Sequence, residues 1–372
     1  MPRLPRIDRG QLGVVAGVLV GLGFAGYVVA GVVQGAQGSD TVSNADASTS
    51  ASPTPTVSAS VVPGPGSNGQ KPGKGGTGKG GSGKGNNPKK QFTLSNVGGP
   101  SLAELTQAVT KLLKVDPTKP PAQFTVSSFN MLGASHTSGG GNKPGYASGP
   151  QRAVWAVQLL RAYNVDVVGL QESESPQIAA FNRVTGSAYD VYPGTSMGRG
   201  PVRQTIAWRT DTWKLVSAHT ISIPYFHGHR VPMPYVLLQN RQSGQGVYFF
   251  NVHNPATTKT HGNNQYWRTV AQNIEAQLVR RLRATGVPVV FTGDFNERVS
   301  AFCQMTSAGL HAANGGSHSG GRCVPPGDNG IDWIFGSSQI QFSNYVRQRD
   351  ALVRRTTDHP VVIAHAQVNR GG

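Results

Sequence analysis

Cysteine is nearly absent from this 372-residue chain, which has only Cys303 and Cys323. Two thiols with no His or Cys cluster beside them make a poor zinc site, which sets thiolate-held metal chemistry aside. A disulfide between them is expected if the segment lies in an oxidising compartment, where such bonds persist. Acidic side chains are also scarce, at 17 against 34 Lys and Arg, for a formal charge of +17. Lysine is rare from residue 121 onward, where Lys143, Lys214 and Lys259 are the only three. The 22 basic residues of that region, set against 12 acids, are therefore almost all Arg. The planar guanidinium matches phosphate oxygens, and a basic body favours polyanionic partners. A solvated Arg-rich surface is the other reading of the same charge. No short-period repeat is present.

Charge is missing altogether from residues 12–33, a run preceded by Arg3, Arg6 and Arg9. That length spans a bilayer, and the arginines are expected to stay on the cytoplasmic side. A cleaved signal peptide is the competing reading, although its apolar stretch is usually about 7–15 residues. Either outcome exports the remainder of the chain. Residues 34–91 are Ser/Thr/Pro-rich and then run KPGKGGTGKGGSGKGNNPKK, a composition that cannot bury a core and reads as a tether. The expected organisation is a basic cytoplasmic tail (1–11), a transmembrane anchor (12–33), a disordered linker (34–91), a helical lead-in (92–120) and a catalytic domain (121–372). The expected location is the cell membrane, with the domain extracytoplasmic, or outside the cell after cleavage and secretion.

In the lead-in, SLAELTQAVTKLLKVDP (101–117) opens with Ser101 and Glu104 in capping-box register, and leucines and valines recur at helical spacing. From residue 124, strand-like runs alternate with helical patterns. FTVSSFNML and DVVGLQE flank a helical stretch at 151–163; QTIAWRT, WKLVSAHTISI, YVLLQN and GVYFFNVHN come next as strands. A long helix over 264–284 then leads to VPVVFTGDFNE, and GIDWIFGS and PVVIAHAQV close the chain. Many strands with few helices between them indicate an α+β or layered α/β sandwich.

The polar residues at the ends of these runs carry the functional signal. Asn130, Glu172, His253, Asp294, Asp332 and Asp358 each lie at or just beyond the end of an apolar strand, where loops converge over a sheet edge. The strings SFN (128–130), LQE (170–172), NVHN (251–254), GDFNE (293–297), GIDWIF (330–335) and TDHPVV (357–362) resemble, in order, the endonuclease/exonuclease/phosphatase superfamily. Its members include deoxyribonucleases, abasic-site endonucleases, inositol-polyphosphate phosphatases and bacterial sphingomyelinases. The resemblance implies an α/β (α+β) four-layered sandwich, with two packed mixed β-sheets flanked by helices.

It also implies metal-assisted hydrolysis of a phosphoester. A hard cation neutralises the phosphoryl oxygens, and Mg²⁺, with Mn²⁺ or Ca²⁺ as alternatives, prefers carboxylates, an amide oxygen and retained waters. Asn130, Glu172 and Asp358 take the metal-binding role. Asp294 takes that of the base, Asn296 stabilises the transition state, and Asp332 pairs with His359. His253 is expected to contact phosphate or protonate the leaving group, although Asn254 succeeds it where many members carry an apolar residue. Taken singly, Asn130 could cap a turn, Asp294-x-Asn296 could form an Asx-turn, and His253 could be a satisfied strand-end histidine. Arg199 and Arg203, in GTSMGRGPVRQ, could contact flanking phosphates or simply be solvated. His227 and His229 lack a third ligand. The expected partner is a phosphoester, with nucleic acid ahead of lipid or small phosphoesters and an inactive binding module last. No protein partner is inferable.

Overall fold

A computed structural model of the chain describes residues 92–112, 114–197 and 203–369. The expected anchor (12–33) and linker (34–91) lie outside these residues. Among the described residues, no helix is long and apolar enough to cross a membrane.

Helix α1 (Leu102–Val109) starts as expected: the Ser101 side chain accepts from the Glu104 amide, and the Glu104 carboxylate accepts from the Ser101 amide. After it come β1 (Gln123–Asn130), α2 (Gly149–Ala162), β2 (Val167–Gln171), α3 (Ser175–Thr185), β3 (Tyr189–Tyr192) and β4 (Thr205–Arg209). The second half continues with β5 (Trp213–Pro224), β6 (Arg230–Asn240), β7 (Gly246–His253), α4 (Gln265–Arg283), β8 (Val289–Asp294) and α5 (Val299–Ser307). Short strands β9 (Leu310–Ala312), β10 (Ser317–Ser319) and β11 (Arg322–Val324) precede β12 (Asp332–Ser337), β13 (Ile340–Gln348), α6 (Ala351–Thr356) and β14 (Val361–Val368).

Two six-stranded sheets result, in the orders β13-β14-β1-β2-β4-β3 and β5-β6-β7-β8-β12-β9. Each is mixed: β1–β2 is the parallel pair of the first and β7–β8 that of the second, while the other named pairings are antiparallel. The sheets pack face to face through Phe124, Val126, Val167, Trp208, Trp213, Phe249, Val290 and Ile334. Helices α2, α3 and α6 cover the outer face of the first sheet around Phe129, Val168 and Leu170. The outer face of the second is covered by α1, α4 and α5 around Phe250, Phe291 and Phe335. This gives the layering of helices, sheet, sheet and helices.

Side chains alternate along a strand, so residues in step with Val126, Val167, Phe249, Val290 and Ile334 face the gap between the sheets. Along that gap the chemistry changes from apolar to polar. Past the aromatic core lie Gly169, Gln171, Asn251 and Thr292, all buried or without a side chain. Gln171 Nε2 donates to Asn251 Oδ1 (2.7 Å), and Asn251 Nδ2 donates to Leu170 O across the sheets (2.9 Å). A Cβ on Gly169 would lie 2.0 Å from Thr292 Oγ1 and 2.4 Å from Asn251 Oδ1, so only glycine admits this approach.

Candidate active site

Continuing the same alternation to the end of the gap brings up Asn130, His253, Asp294 and Asp332. Strand register fixes their order. In the second sheet His253 pairs with Asp294, and Asp294 pairs with Asp332, so three chemically active side chains stand in a row across adjacent strands. In the first sheet Asn130 lies opposite Gln171. Glu172 is one residue further and would by parity face away from the gap. Its backbone instead turns into the left-handed region (φ 54), which re-aims the carboxylate toward Asn130. Such a conformation costs on the order of 1–3 kcal/mol for a side chain of this size and marks a constrained site. Because β12 and β14 run antiparallel to β8 and β1, their first residues arrive at this same edge and bring Asp332 and the 357–359 segment with them.

On the first-sheet side, Asn130 Nδ2 donates to Glu172 Oε1 (3.0 Å) and Asp294 Oδ2 (3.1 Å) and so ties the two halves together. Glu172 Oε2 accepts from the Gly133 amide (2.8 Å) and lies 3.1 Å from His136 Nε2. Burial pushes the Glu172 carboxyl up, but the bond from His136, the nearby His253 and the Gly133 amide outweigh it, holding it well below the usual carboxylate range. Asp358, partly exposed, pairs with Lys143 Nζ at 2.9 Å. The buried guanidinium of Arg152 shapes this edge by donating to the carbonyls of Met131, Leu132, Gly133 and Thr356, fixing the loop after β1 against the approach to Asp358.

On the second-sheet side, Asp294 is the hub. Its Oδ1 accepts from the Asn296 amide (2.9 Å), while its Oδ2 lies 3.5 Å from His253 Nε2 and 3.7 Å from His359 Nε2. Burial raises the Asp294 carboxyl above its ordinary value, against the opposing pull of both histidines. His359 Nδ1 lies 3.0 and 3.2 Å from the two Asp332 oxygens. Burial alone would lower the His359 imidazole, but Asp332 and Asp294 carry it up to about 10. Asn296, at φ 50, donates Nδ2 to the Asn254 carbonyl (2.8 Å). The Tyr225 hydroxyl stands 3.4 Å from His253 Nδ1, and its ring packs edge-on against the imidazole.

Two sets of side chains offer ligand atoms for a cation. Asp294, Asp332 and His359 place such atoms within 4.8 Å of one another. His359 Nδ1, however, is engaged by Asp332, whose charge favours the protonated ring, and a protonated imidazole has no lone pair for a metal. Glu172 and Asp358 present carboxylate oxygens, the donors that suit a hard divalent ion, while Asn130 turns its Nδ2 to Glu172 and accepts from the Leu132 amide through Oδ1 (2.9 Å). Glu172 sits against His136 and Asp358 against the Lys143 ammonium, so the fold supports positive charge at that position.

The structure thus brings together Asn130, Glu172, His253, Asp294, Asn296, Asp332 and His359, and it places Asp358 beside Lys143. Arg199 lies outside the described residues. Arg203 pairs with Glu174 (3.2 Å). Cys303 on α5 and Cys323 on β11 are joined in a disulfide. Sequence reasoning missed His136, Lys143, Arg152 and Tyr225. The first two lie in a glycine-rich loop without periodicity, and Arg152 reads as one more helical residue.

A sequence model of the Endonuclease/Exonuclease/phosphatase family matches residues 127–359. No curated protein sequence matches. Among solved structures, the chain is similar to an endonuclease/exonuclease/phosphatase family protein from Bacteroides thetaiotaomicron (18% identity, 67% of this chain and 99% of that one, TM-score 0.53). It is also similar to the catalytic domain of human Nocturnin (16%, 68% and 98%, 0.52) and to a mannosyl-6-phosphatase of Bacteroides thetaiotaomicron (18%, 65% and 99%, 0.50). At these identities the likeness is one of fold.

Proposed function

The chain belongs to the endonuclease/exonuclease/phosphatase family of phosphoester hydrolases, and on that premise we propose that it is an extracytoplasmic, Mg²⁺-dependent nuclease. The observation that carries the hydrolytic reading is the arrangement at Asp294. A buried carboxylate, raised above its usual range, faces two imidazole Nε2 atoms, and one of those rings is kept protonated by Asp332. A base poised above the ordinary carboxylate value beside fixed positive charge suits attack of water on a phosphodiester.

In this reading, Asp294 takes a proton from water as the water oxygen bonds to phosphorus. The His359 imidazolium and the Asn296 amide lie against the charge that develops. Asn296 uses one Nδ2 hydrogen on the Asn254 carbonyl and keeps the other for substrate. The bond to the leaving oxygen then breaks, and His253 is placed to return a proton to it. Asn130, Glu172 and Asp358 would hold a divalent ion there, and when bound it would supply neutralisation of the phosphoryl oxygens.

Nucleic acid is favoured over lipid on two grounds. The region from residue 121 carries a formal +10, from 22 basic and 12 acidic residues, and Arg354 and Arg355 lie on α6 just ahead of Asp358 and His359. A lipid enzyme would instead expose apolar side chains on a loop near the site. The 223–236 hairpin exposes none of its large apolar residues, and Phe226 stacks on His261 (centroids 4.0 Å apart). Export is supported by the uncharged run at 12–33 behind three arginines and by the Cys303–Cys323 disulfide.

The test presents the full chain and an Asp294→Ala control with plasmid DNA, RNA, sphingomyelin and phosphomonoesters, with Mg²⁺ and with chelator. DNA or RNA cleavage that both Asp294→Ala and chelator abolish is expected. Lipid or phosphomonoester turnover without nuclease activity overturns the choice of substrate, and no turnover under any divalent ion overturns the enzyme reading.

A further inference from the structure

Helix α4 buries the apolar stripe that its periodicity requires, including Ala271, Ile274, Leu278 and Leu282. It also buries a polar one. Arg268, Gln272 and Glu275 succeed one another at i, i+4 and i+7, one above the other on a single face, and are 6%, 2% and 0% exposed. Arg268 and Glu275 reach loops that carry or adjoin catalytic candidates, and Gln272 reaches the first turn of α5. Arg268 Nε donates to Glu297 (2.9 Å), and its Nη1 donates to the Pro255 carbonyl (2.9 Å). Gln272 accepts from Ser300 (3.1 Å). Glu275 accepts from Asn254 Nδ2 (3.3 Å). Asn254 is in turn clamped through its backbone: its amide donates to the Asp294 carbonyl (2.9 Å), and its own carbonyl receives Asn296 Nδ2 (2.8 Å).

This stripe is costly. Burial drives the Glu275 carboxyl up to about 8, so it is held largely uncharged at neutral pH. Glu275 Oε1, Asn254 Oδ1 and Gln272 Nε2 have no hydrogen-bond partner among the described residues. Unsatisfied buried polar atoms lower stability; apolar side chains of similar volume at both Glu275 and Asn254 would relieve that cost, whereas removing Glu275 alone strands the Asn254 amide. A helix that keeps such atoms beneath catalytic loops has traded stability for placement.

We propose that the buried polar face of α4 is a positioning element, in which Glu275 acts through Asn254 to fix the Asn296 side chain. Glu275 touches neither substrate nor reacting atoms. Its hydrogen bond orients the Asn254 side chain, which sets the plane of the peptide carbonyl that holds Asn296. The assay by turnover rests on the hydrolytic reading above, whereas the measurement on the amide does not.

The experiment compares full-length wild type with Glu275→Met, which keeps the volume, and Glu275→Gln, which keeps the acceptor. Side-chain amide exchange of Asn296 is tracked by NMR, together with kcat, KM and melting temperature. In Glu275→Met, which leaves the buried Asn254 Nδ2 without its acceptor, the melting temperature should fall modestly. Asn296 Nδ2 exchange should be at least tenfold faster, and kcat about 10- to 100-fold lower with KM within about twofold, because small displacements of an oriented group are costly. Glu275→Gln should recover most of both. If Glu275→Met leaves Asn296 exchange unchanged, or if both variants lose kcat in step with melting temperature, the proposal is overturned. Should Glu275→Met fail to fold, Glu275→Gln and Asn254→Leu decide it by the same exchange: slow in the first and fast in the second supports it, and equal rates overturn it. Absence of turnover in wild type would strike at the hydrolytic reading alone, since the amide measurement still stands.

Discussion

Replacing Asp332 with Asn removes a charge from His359 while leaving a side chain of the same shape. In the wild type, His359 sits at about 10 against an ordinary 6.5, despite burial that opposes its charge. At about 1.36 kcal/mol per pH unit this is a preference of roughly 4–5 kcal/mol for the imidazolium, shared between Asp332, Asp294 and Asp358. Asp332 is the leading favourable cause and also accepts from Nδ1 at 3.0 Å. If half of the preference is assigned to it, Asp332→Asn lowers the His359 pKa by roughly two pH units. The alkaline limb of kcat/KM should therefore move to lower pH by about that amount. Above that lowered value, an Asn amide that donates to Nδ1 also imposes the wrong tautomer, for which a loss of about 10²- to 10⁴-fold in kcat is expected there. Stability obeys the same linkage. A histidine whose folded value is raised stabilises the fold fully below about 6.5 and loses that contribution as pH rises through about 10. The wild type's stability advantage over the variant should thus be largest at mildly acidic pH and shrink steadily toward pH 10. The measurements are a pH–rate profile from pH 6 to 11, NMR titration of the His359 ring and denaturant melts across that range. An unshifted ring titration would refute the reasoning, because Asp332 would then not be what holds the proton.

Three further expectations concern other parts of the structure. Glu172→Gln should weaken divalent-ion binding, read by calorimetry, more than it changes KM at saturating metal; equal metal affinity in both proteins would remove Glu172 from the cation site. Gly169→Ala, which drives a methyl into Thr292 and Asn251, should destabilise by about 2–3 kcal/mol in chemical denaturation, and a neutral result would mean the sheets can part to admit it. Loss of the Cys303–Cys323 bond, which closes a separation of 20 residues, should lower stability by about 3 kcal/mol. Melts of a double Cys→Ser variant, insensitive to reductant, check this.

The part of the site that lies on strand ends was legible from sequence because an apolar run that stops at a polar residue announces both the strand and its end. That pattern located Asn130, Glu172, His253 and Asp294, whereas Asp332 stands at the start of its apolar run, and the helix expected over 264–284 is found at Gln265–Arg283. The first helix, expected to end ahead of Pro117, is shorter than its apolar pattern: α1 stops at Val109, and the leucine beyond it at 112 packs from a turn. Strand β13 escaped notice because it is an edge strand with a register shift between Ser343 and Val346 and little apolar alternation. Strand β3, four residues at the opposite edge, has the same weakness. His136, Lys143 and Glu275 could not be read at all. Their importance comes from which carboxylate or amide lies opposite in space, and no local period encodes that.

The catalytic groups are drawn from positions as far apart as Asn130 and His359, and the row in the second sheet is useless until the first sheet closes over it. No shorter stretch of the chain holds a working set, and the last contributor is delivered only when β14 pairs with β1. A site built this way is assembled only in the fully folded domain, so its chemistry depends on both sheets being in place together.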